Sequence, residues 1–232
     1  MRASGGFVPG GVGAWESSAR GQFLTLLQSG LTPDSTVLDV GCGSLRLGNL
    51  LMRFLEPGGY CGINPRSDEI QQGLDFIVDP AIVARAEPRF SANGDFDLSV
   101  FGRSFDFVLA SSVWSHTAKW QIQAMLDSFA QTAAPTSLLL ASYVPASPVP
   151  DALRVPIHGA VRSIPGLPGR LRQWRGHVLG GPDYSGSTWT GDVISHKRRW
   201  LREQCGVRGL EFGEMKNPTR RADQIWARIR LR

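Results

Sequence analysis

Twelve residues constrain this chain more than all the others. Val37-Leu38-Asp39-Val40 is a short apolar run carrying one acid, and Gly41-Cys42-Gly43 follows it directly. Ser44-Leu45-Arg46-Leu47-Gly48 then opens an amphipathic stretch. Strand, Gly-x-Gly turn and helix in that order begin a nucleotide-binding α/β domain. Gly41 and Gly43 lack a Cβ, so the backbone can turn tightly and come close to a ligand. Asp39 sits at the carboxyl end of a buried strand, where its carboxylate can accept from a cationic group.

The same run separates two cofactors. A dinucleotide fingerprint, Gly-x-Gly-x-x-Gly, seats a pyrophosphate at the helix N-terminus. Arg46 occupies the third-glycine position here, and Gly48 comes two residues later. A bulky residue there hinders close helix–strand packing, which weighs against the pyrophosphate.

Periodicity and turn residues give the rest of the layout. A helix is expected over 15–27, a first strand over 36–40 and a helix over 45–54. A second strand follows at 60–63. Ser67 or Asp68 is expected to cap the next helix. A short helix at 81–86 and a third strand from 89 precede a fourth strand at 105–110. A helix over 120–132 leads to a fifth strand at 137–143, wholly apolar in its centre and therefore central in a sheet. Strands alternating with helices predict a parallel, doubly wound α/β sheet. The stretch 145–190, rich in Pro, Gly and Arg, interrupts the alternation. Helix is expected again over 192–204, then strands at 210–215 and 224–231. In the last, Ile225, Ala227, Ile229 and Leu231 alternate with Trp226, Arg228, Arg230 and Arg232, which predicts one buried and one exposed face.

With 232 residues, one domain is the prior: an N-terminal extension and helix over 1–35, and an insertion over 145–190. No run approaches the roughly 20 apolar residues of a membrane span, and the first residues lack an apolar signal-peptide core. A cytoplasmic protein with no membrane partner is expected. Cys42, Cys61 and Cys205 have no metal-ligand spacing and read as small buried residues, so no metal site is assigned. The net charge of +5 comes almost wholly from arginine, a bias that need not reflect nucleic-acid binding.

The run Val-Leu-Asp-Val-Gly-Cys-Gly resembles motif I of class I S-adenosylmethionine-dependent methyltransferases. The likeness extends through 60–65, 93–98 and 105–117. Residues 41–48 followed by 55–63 are similar to a bacterial small-molecule subgroup, as are Trp15-Glu16, 20–23 and 217–226. The resemblance implies a Rossmann-like, seven-stranded, doubly wound sheet with an inserted substrate-side loop region, and S-adenosyl-L-methionine as cofactor. It implies that Asp39, Gly41 and Gly43 face the methionine part. The position ending the second strand is normally an acid gripping both ribose hydroxyls, and here it is Asn64, a departure. An amide offers an acceptor without the charge-assisted strength of a carboxylate. Asp68 substitutes only if its loop bends back. Asp95 and Phe96 match the adenine loop, with Asp97 as a competing acid. Ser111 lies at the mouth of the site, and Arg20 is placed to pair with the cofactor carboxylate.

Methyl transfer chiefly needs a positioned nucleophile, and a base only when the acceptor must lose a proton. His116 follows the fourth strand and is the candidate base. His158, His177 and His196 are weaker candidates. Ala110-Ser111-Ser112-Val113-Trp114 lacks the Asp/Asn-Pro-Pro-aromatic motif of amino-directed nucleic-acid enzymes. No cysteine is placed as a cytosine-type nucleophile, and no acidic cluster suggests magnesium. The expected partner is therefore a small-molecule methyl acceptor, methylated on O or N, and not nucleic acid. The stretch 145–190 is the expected substrate cover, with Arg154, Arg162, Arg170, Arg172 and Arg175 available to an anion. A non-catalytic binding module, or an RNA-directed enzyme favoured by the basic charge, are the competing readings.

Overall fold

In this computed structural model, the strands that carry the most apolar residues lie in the middle of one sheet. Residues 11–146, 194–215 and 224–232 are described, with the side chains of 11–17 left aside. The strands are β1 (Val37–Val40), β2 (Tyr60–Ile63), β3 (Arg89–Ser91), β4 (Phe107–Ala110), β5 (Leu138–Pro145), β6 (Ser195–His196), β7 (Leu210–Met215) and β8 (Ile225–Leu231). Their order is β3-β2-β1-β4-β5-β8-β7, with the two-residue β6 off this path beside β5. The first five strands pair in parallel. β8 then runs antiparallel to both β5 and β7. The doubly wound α/β sheet of seven strands is as the sequence led one to expect, with β6 as an addition.

The helices are α1 (Gly11–Gln28), α2 (Gly48–Phe54), α3 (Ser67–Phe76), α4 (Pro80–Ala86), α5 (Lys119–Thr132) and α6 (Arg198–Gly206). They cover both faces of the sheet. Ile122, Met125, Leu126 and Phe129 of α5 and Leu201 of α6 pack on Leu38, Val40, Val108 and Leu139. Leu26 of α1, Leu51 and Met52 of α2 and Ile70 of α3 pack on Val37, Leu109 and Leu140. Covered on both faces, β1, β2 and β4 are buried throughout, and Asp39 is their one charged residue. All three cysteines are buried and free.

Four local expectations change. α2 begins at Gly48, because Leu45 has φ 60° and cannot lie in a right-handed helix. α3 takes Arg66 as its N-cap, and Ser67 and Asp68 fall in the first turn without a capping bond. Residues 195–196 are strand, so the last helix starts at Arg198 and not near Asp192. Trp226, assigned to the exposed face of β8, is buried in the layer beneath α1, while Arg228 and Arg230 on the same face are exposed. Helical cover on that side reaches Trp226 and stops short of the arginines. Among the described residues no helix is long and apolar enough to cross a membrane.

Candidate active site

β1 and β4 lie side by side in the sheet centre, and their carboxyl ends open into the turns at 41–47 and 111–117. Ligands bind in α/β sheets at such ends. The first turn alternates its backbone hand: Gly41, Gly43 and Leu45 have φ 77°, 51° and 60°. Leucine in that region costs about 1–2 kcal/mol, and the side chain, wholly buried among α1 and α2, offsets it. A Cβ on Gly41 would stand 2.7 Å from Val113 of the neighbouring turn. A Cβ on Gly43 would meet only the Glu69 Oε2, at 3.9 Å. Gly41 thus closes its turn against the turn that follows β4, while the Gly43 Cβ position is uncrowded, with the Glu69 carboxylate at its edge.

That difference makes a testable pair. Gly43→Ala is expected to cost about 1 kcal/mol in backbone strain, and to weaken S-adenosylhomocysteine binding tenfold or more. Gly58→Ala carries the same strain, since Gly58 has φ 74° and nothing within 4 Å. It lies away from the turn, so its binding should match the parent's in calorimetry. Equal binding by all three proteins would remove Gly43 from the site.

Asp39 is 4% exposed, and Tyr60 donates to its Oδ2 at 3.1 Å. Burial pushes the carboxyl up to about 7, against the lowering effect of the Tyr60 bond. Gly48 makes this pairing possible, because a Cβ there would fall 2.6 Å from the Tyr60 hydroxyl. Gly48 therefore serves the tyrosine rather than a phosphate.

At the end of β2, Asn64 is buried and its Nδ2 donates to Arg66 O at 2.9 Å and Glu69 Oε2 at 3.0 Å. Asp68 does not bend back: it is exposed and ion-paired with Arg66 at 2.8 Å. The loop at 93–96 abuts this strand end, a Cβ on Gly94 lying 3.1 Å from Pro65. Asp97 Oδ1 accepts from Ser99 N at 2.8 Å and Oγ at 2.6 Å, which hold its carboxyl below the usual range. Its role is to close the local turn. Asp95 is exposed, and Phe96, at φ 64°, packs half-buried on the core.

The second turn is held from several sides. Ser111 accepts from Gln22 Nε2 of α1 at 2.8 Å. Ser112, at φ 58°, donates its N–H to Ser142 Oγ at 2.6 Å and its hydroxyl to Gln224 Oε1 at 3.2 Å. The Trp114–His116 segment is a single 3-10 turn. His196 donates from Nε2 to the Trp114 carbonyl at 2.8 Å, and Ile194 N–H donates to Ser115 O at 2.8 Å. Burial holds His196 below its ordinary value, so it is a neutral strut. His116 is half-buried beside Thr117, whose buried hydroxyl has no partner among the described residues.

Asp39, Gly41, Gly43, Asn64 and Ser111 lie at the carboxyl ends of adjacent strands or in the turns that follow them, with Gly94 of the adenine-loop segment against Pro65. Arg20, expected to pair with the cofactor carboxylate, lies on the same helix as Gln22. The α1 face that touches Ser111 carries Gln22 and Ser18, and Arg20 stands exposed, two residues out of phase with it. Gln22, Tyr60 and Glu69 were missed in the sequence because their roles depend on cross-element contacts. His158, His177 and the five arginines of the insertion lie outside the described residues.

No protein-family model matches this sequence, and no match to a curated protein was found. Solved structures do match. Magnesium protoporphyrin IX methyltransferase from Synechocystis PCC 6803, with bound S-adenosylhomocysteine, is 16% identical with a TM-score of 0.61, over 99% of this chain and 90% of that one. A methyltransferase from Clostridium acetobutylicum is 10% identical with a TM-score of 0.58, over 94% and 92%. Human N-acetylserotonin methyltransferase in complex with S-adenosylmethionine is 12% identical with a TM-score of 0.59, over 94% of this chain and 52% of that one. Sheet order, the antiparallel end and these matches together give this chain the Rossmann-like fold of class I S-adenosylmethionine-dependent methyltransferases.

Proposed function

We propose that this protein is a methyltransferase that binds S-adenosyl-L-methionine and methylates an O or N atom of a small molecule. The observation that carries the reading is the β1 turn: a buried carboxylate, two positive-φ glycines, and an uncrowded position at Gly43, where a Cβ would touch only the Glu69 carboxylate. The names of two matching structures specify small acceptors, a porphyrin and N-acetylserotonin, which supports the same class here.

Asp39, Gly41 and Gly43 would hold the methionine part, Asn64 the ribose, and Asp95 with Phe96 the adenine. When bound, the cofactor supplies a methyl carbon already made electrophilic by its sulfonium. The chain's own task is to aim the acceptor along the line of attack and exclude water. His116 sits past β4 on a turn fixed by Ser142, Gln224 and His196. It takes the acceptor proton as the new bond forms. Ser111, tied to Gln22, lines the same mouth.

The direct experiment is labelled methyl transfer into fractionated host metabolites, read by mass spectrometry, beside calorimetry with S-adenosylhomocysteine. Binding with incorporation into a small molecule supports the reading. Binding without incorporation into any fraction favours a non-catalytic module, for which the Asn64 departure is the supporting observation. Once an acceptor is in hand, His116→Gln is expected to lower kcat by about 10²–10⁴-fold. The affinity for S-adenosylhomocysteine should stay within threefold. An unchanged kcat would return His116 to a packing role.

A further inference from the structure

Asn64 leaves the ribose position without an acid on the strand, but the structure brings a carboxylate there from another element. Glu69 lies in the first turn of α3. Its Oε2 accepts from Asn64 Nδ2 at 3.0 Å and is the nearest atom to where a Gly43 Cβ would stand, at 3.9 Å. Its Oε1 lies 3.1 Å from Arg66 Nη1. A carboxylate has about four acceptor sites, so these two contacts leave capacity on both oxygens. Arg66 is shared with Asp68, so the trio of Arg66, Asp68 and Glu69 keeps a net negative charge beside the turn.

The amide orientation follows from the same contacts. Asn64 faces two acceptors, Arg66 O and Glu69 Oε2, and only its NH2 can satisfy both. Its Oδ1 is thereby turned away from them. The pair then offers an amide oxygen and a charged carboxylate as two acceptors, which is what two vicinal hydroxyls require.

We infer that Glu69 is the ribose-binding acid of this chain and that Asn64 acts with it, as a fixed acceptor and as the donor that positions the Glu69 carboxylate. This assignment rests on the reading of the site as an S-adenosylmethionine site. It also makes Asn64 a complement to Glu69 rather than a degraded aspartate. An aspartate at 64 would set two carboxylates about 3 Å apart, where like charges cannot both ionise freely.

The test is calorimetry at pH 7.5 with S-adenosylhomocysteine and its 2′,3′-dideoxy analogue, on proteins with matching melting curves. Glu69→Gln is expected to weaken S-adenosylhomocysteine binding fivefold or more and to change binding of the dideoxy analogue less than twofold. Asn64→Asp is expected to weaken S-adenosylhomocysteine binding too. The exchanged pair, Asn64→Asp with Glu69→Gln, should return to within threefold of the parent. A smaller effect of Glu69→Gln, an equal loss for both ligands, unchanged or tighter binding by Asn64→Asp, or no recovery in the exchanged pair would overturn the assignment alone. A parent protein that does not bind S-adenosylhomocysteine would overturn it together with the reading beneath it.

Discussion

Asp39→Asn is expected to make the protein more stable at pH 8 while removing much of its cofactor affinity. The Asp39 carboxyl is raised to about 7 by burial, against 3.8 for the ordinary group. Between these values the folded state holds a proton that the unfolded chain has released. Stability therefore falls as pH rises through this window, and the loss is complete above about pH 7. The neutral amide has no such dependence, and its oxygen still accepts from Tyr60. The stability difference, variant minus parent, should thus grow by about 2.5 kcal/mol between pH 5 and pH 8. Urea unfolding at the two pH values measures it. A pH-independent difference would show that Asp39 is ionised throughout.

The same replacement should weaken S-adenosylhomocysteine by about 1.5–3 kcal/mol, the scale of a hydrogen bond to a charged group, if Asp39 receives the ligand's ammonium. A cation beside Asp39 favours the ionised form. Binding to the parent at pH 6 should therefore release a proton, and affinity should rise with pH up to about 7. Calorimetry in two buffers of different ionisation enthalpy reads that proton directly. In Asp39→Asn the release should vanish. A buried acid kept at such a cost to stability is what a charge-binding site demands.

Gly73→Ala is expected to destabilise the protein, although alanine is the better helix former by about 1 kcal/mol. Gly73 lies inside α3, where that gain normally holds. Its Cβ would stand 2.7 Å from both Ser44 C and Ser44 O, and 2.7 Å from Leu45 Cγ. Two of these atoms are backbone and cannot swing aside. Overpacking of this kind costs about 1–3 kcal/mol, so the clash wins. The net loss, up to about 2 kcal/mol, should lower Tm by up to about 8 °C for a chain of this size. α3 would also be pushed off the turn that carries Gly43, and it would take Glu69 with it. S-adenosylhomocysteine affinity should therefore fall with the melting temperature. A variant as stable as its parent would mean that the helix can shift without disturbing the turn.

The sequence disclosed the elements because their signals are local. The run from Val37 to Gly43 combined a strand buried on both faces with a turn that needs glycine, and no other element fits that order. β2 and β3 were bounded by turn residues, and the apolar centre of β5 placed it inside the sheet. The helical start at Leu45 misled, because a leucine held at positive φ leaves no trace in periodicity. Trp226 misled for a related reason. Alternation along β8 records which residues share a face, but only the reach of α1 decides how far that face is covered.

The candidate site divides the same way. By itself the sequence determined the sheet, the glycine turn and the acid at the end of β1, since each follows from the conformation of a few adjacent residues. The tertiary structure decided what that acid meets and how the rim is completed. Tyr60 reaches Asp39 only because β2 lies beside β1 and Gly48 leaves room. Gln22 reaches Ser111 across 89 residues of chain. Glu69 stands at the end of β2 because α3 turns back over the glycine loop, with Gly73 allowing close approach. Side-chain partners across elements depend on packing distances and register in space, and a linear pattern carries neither.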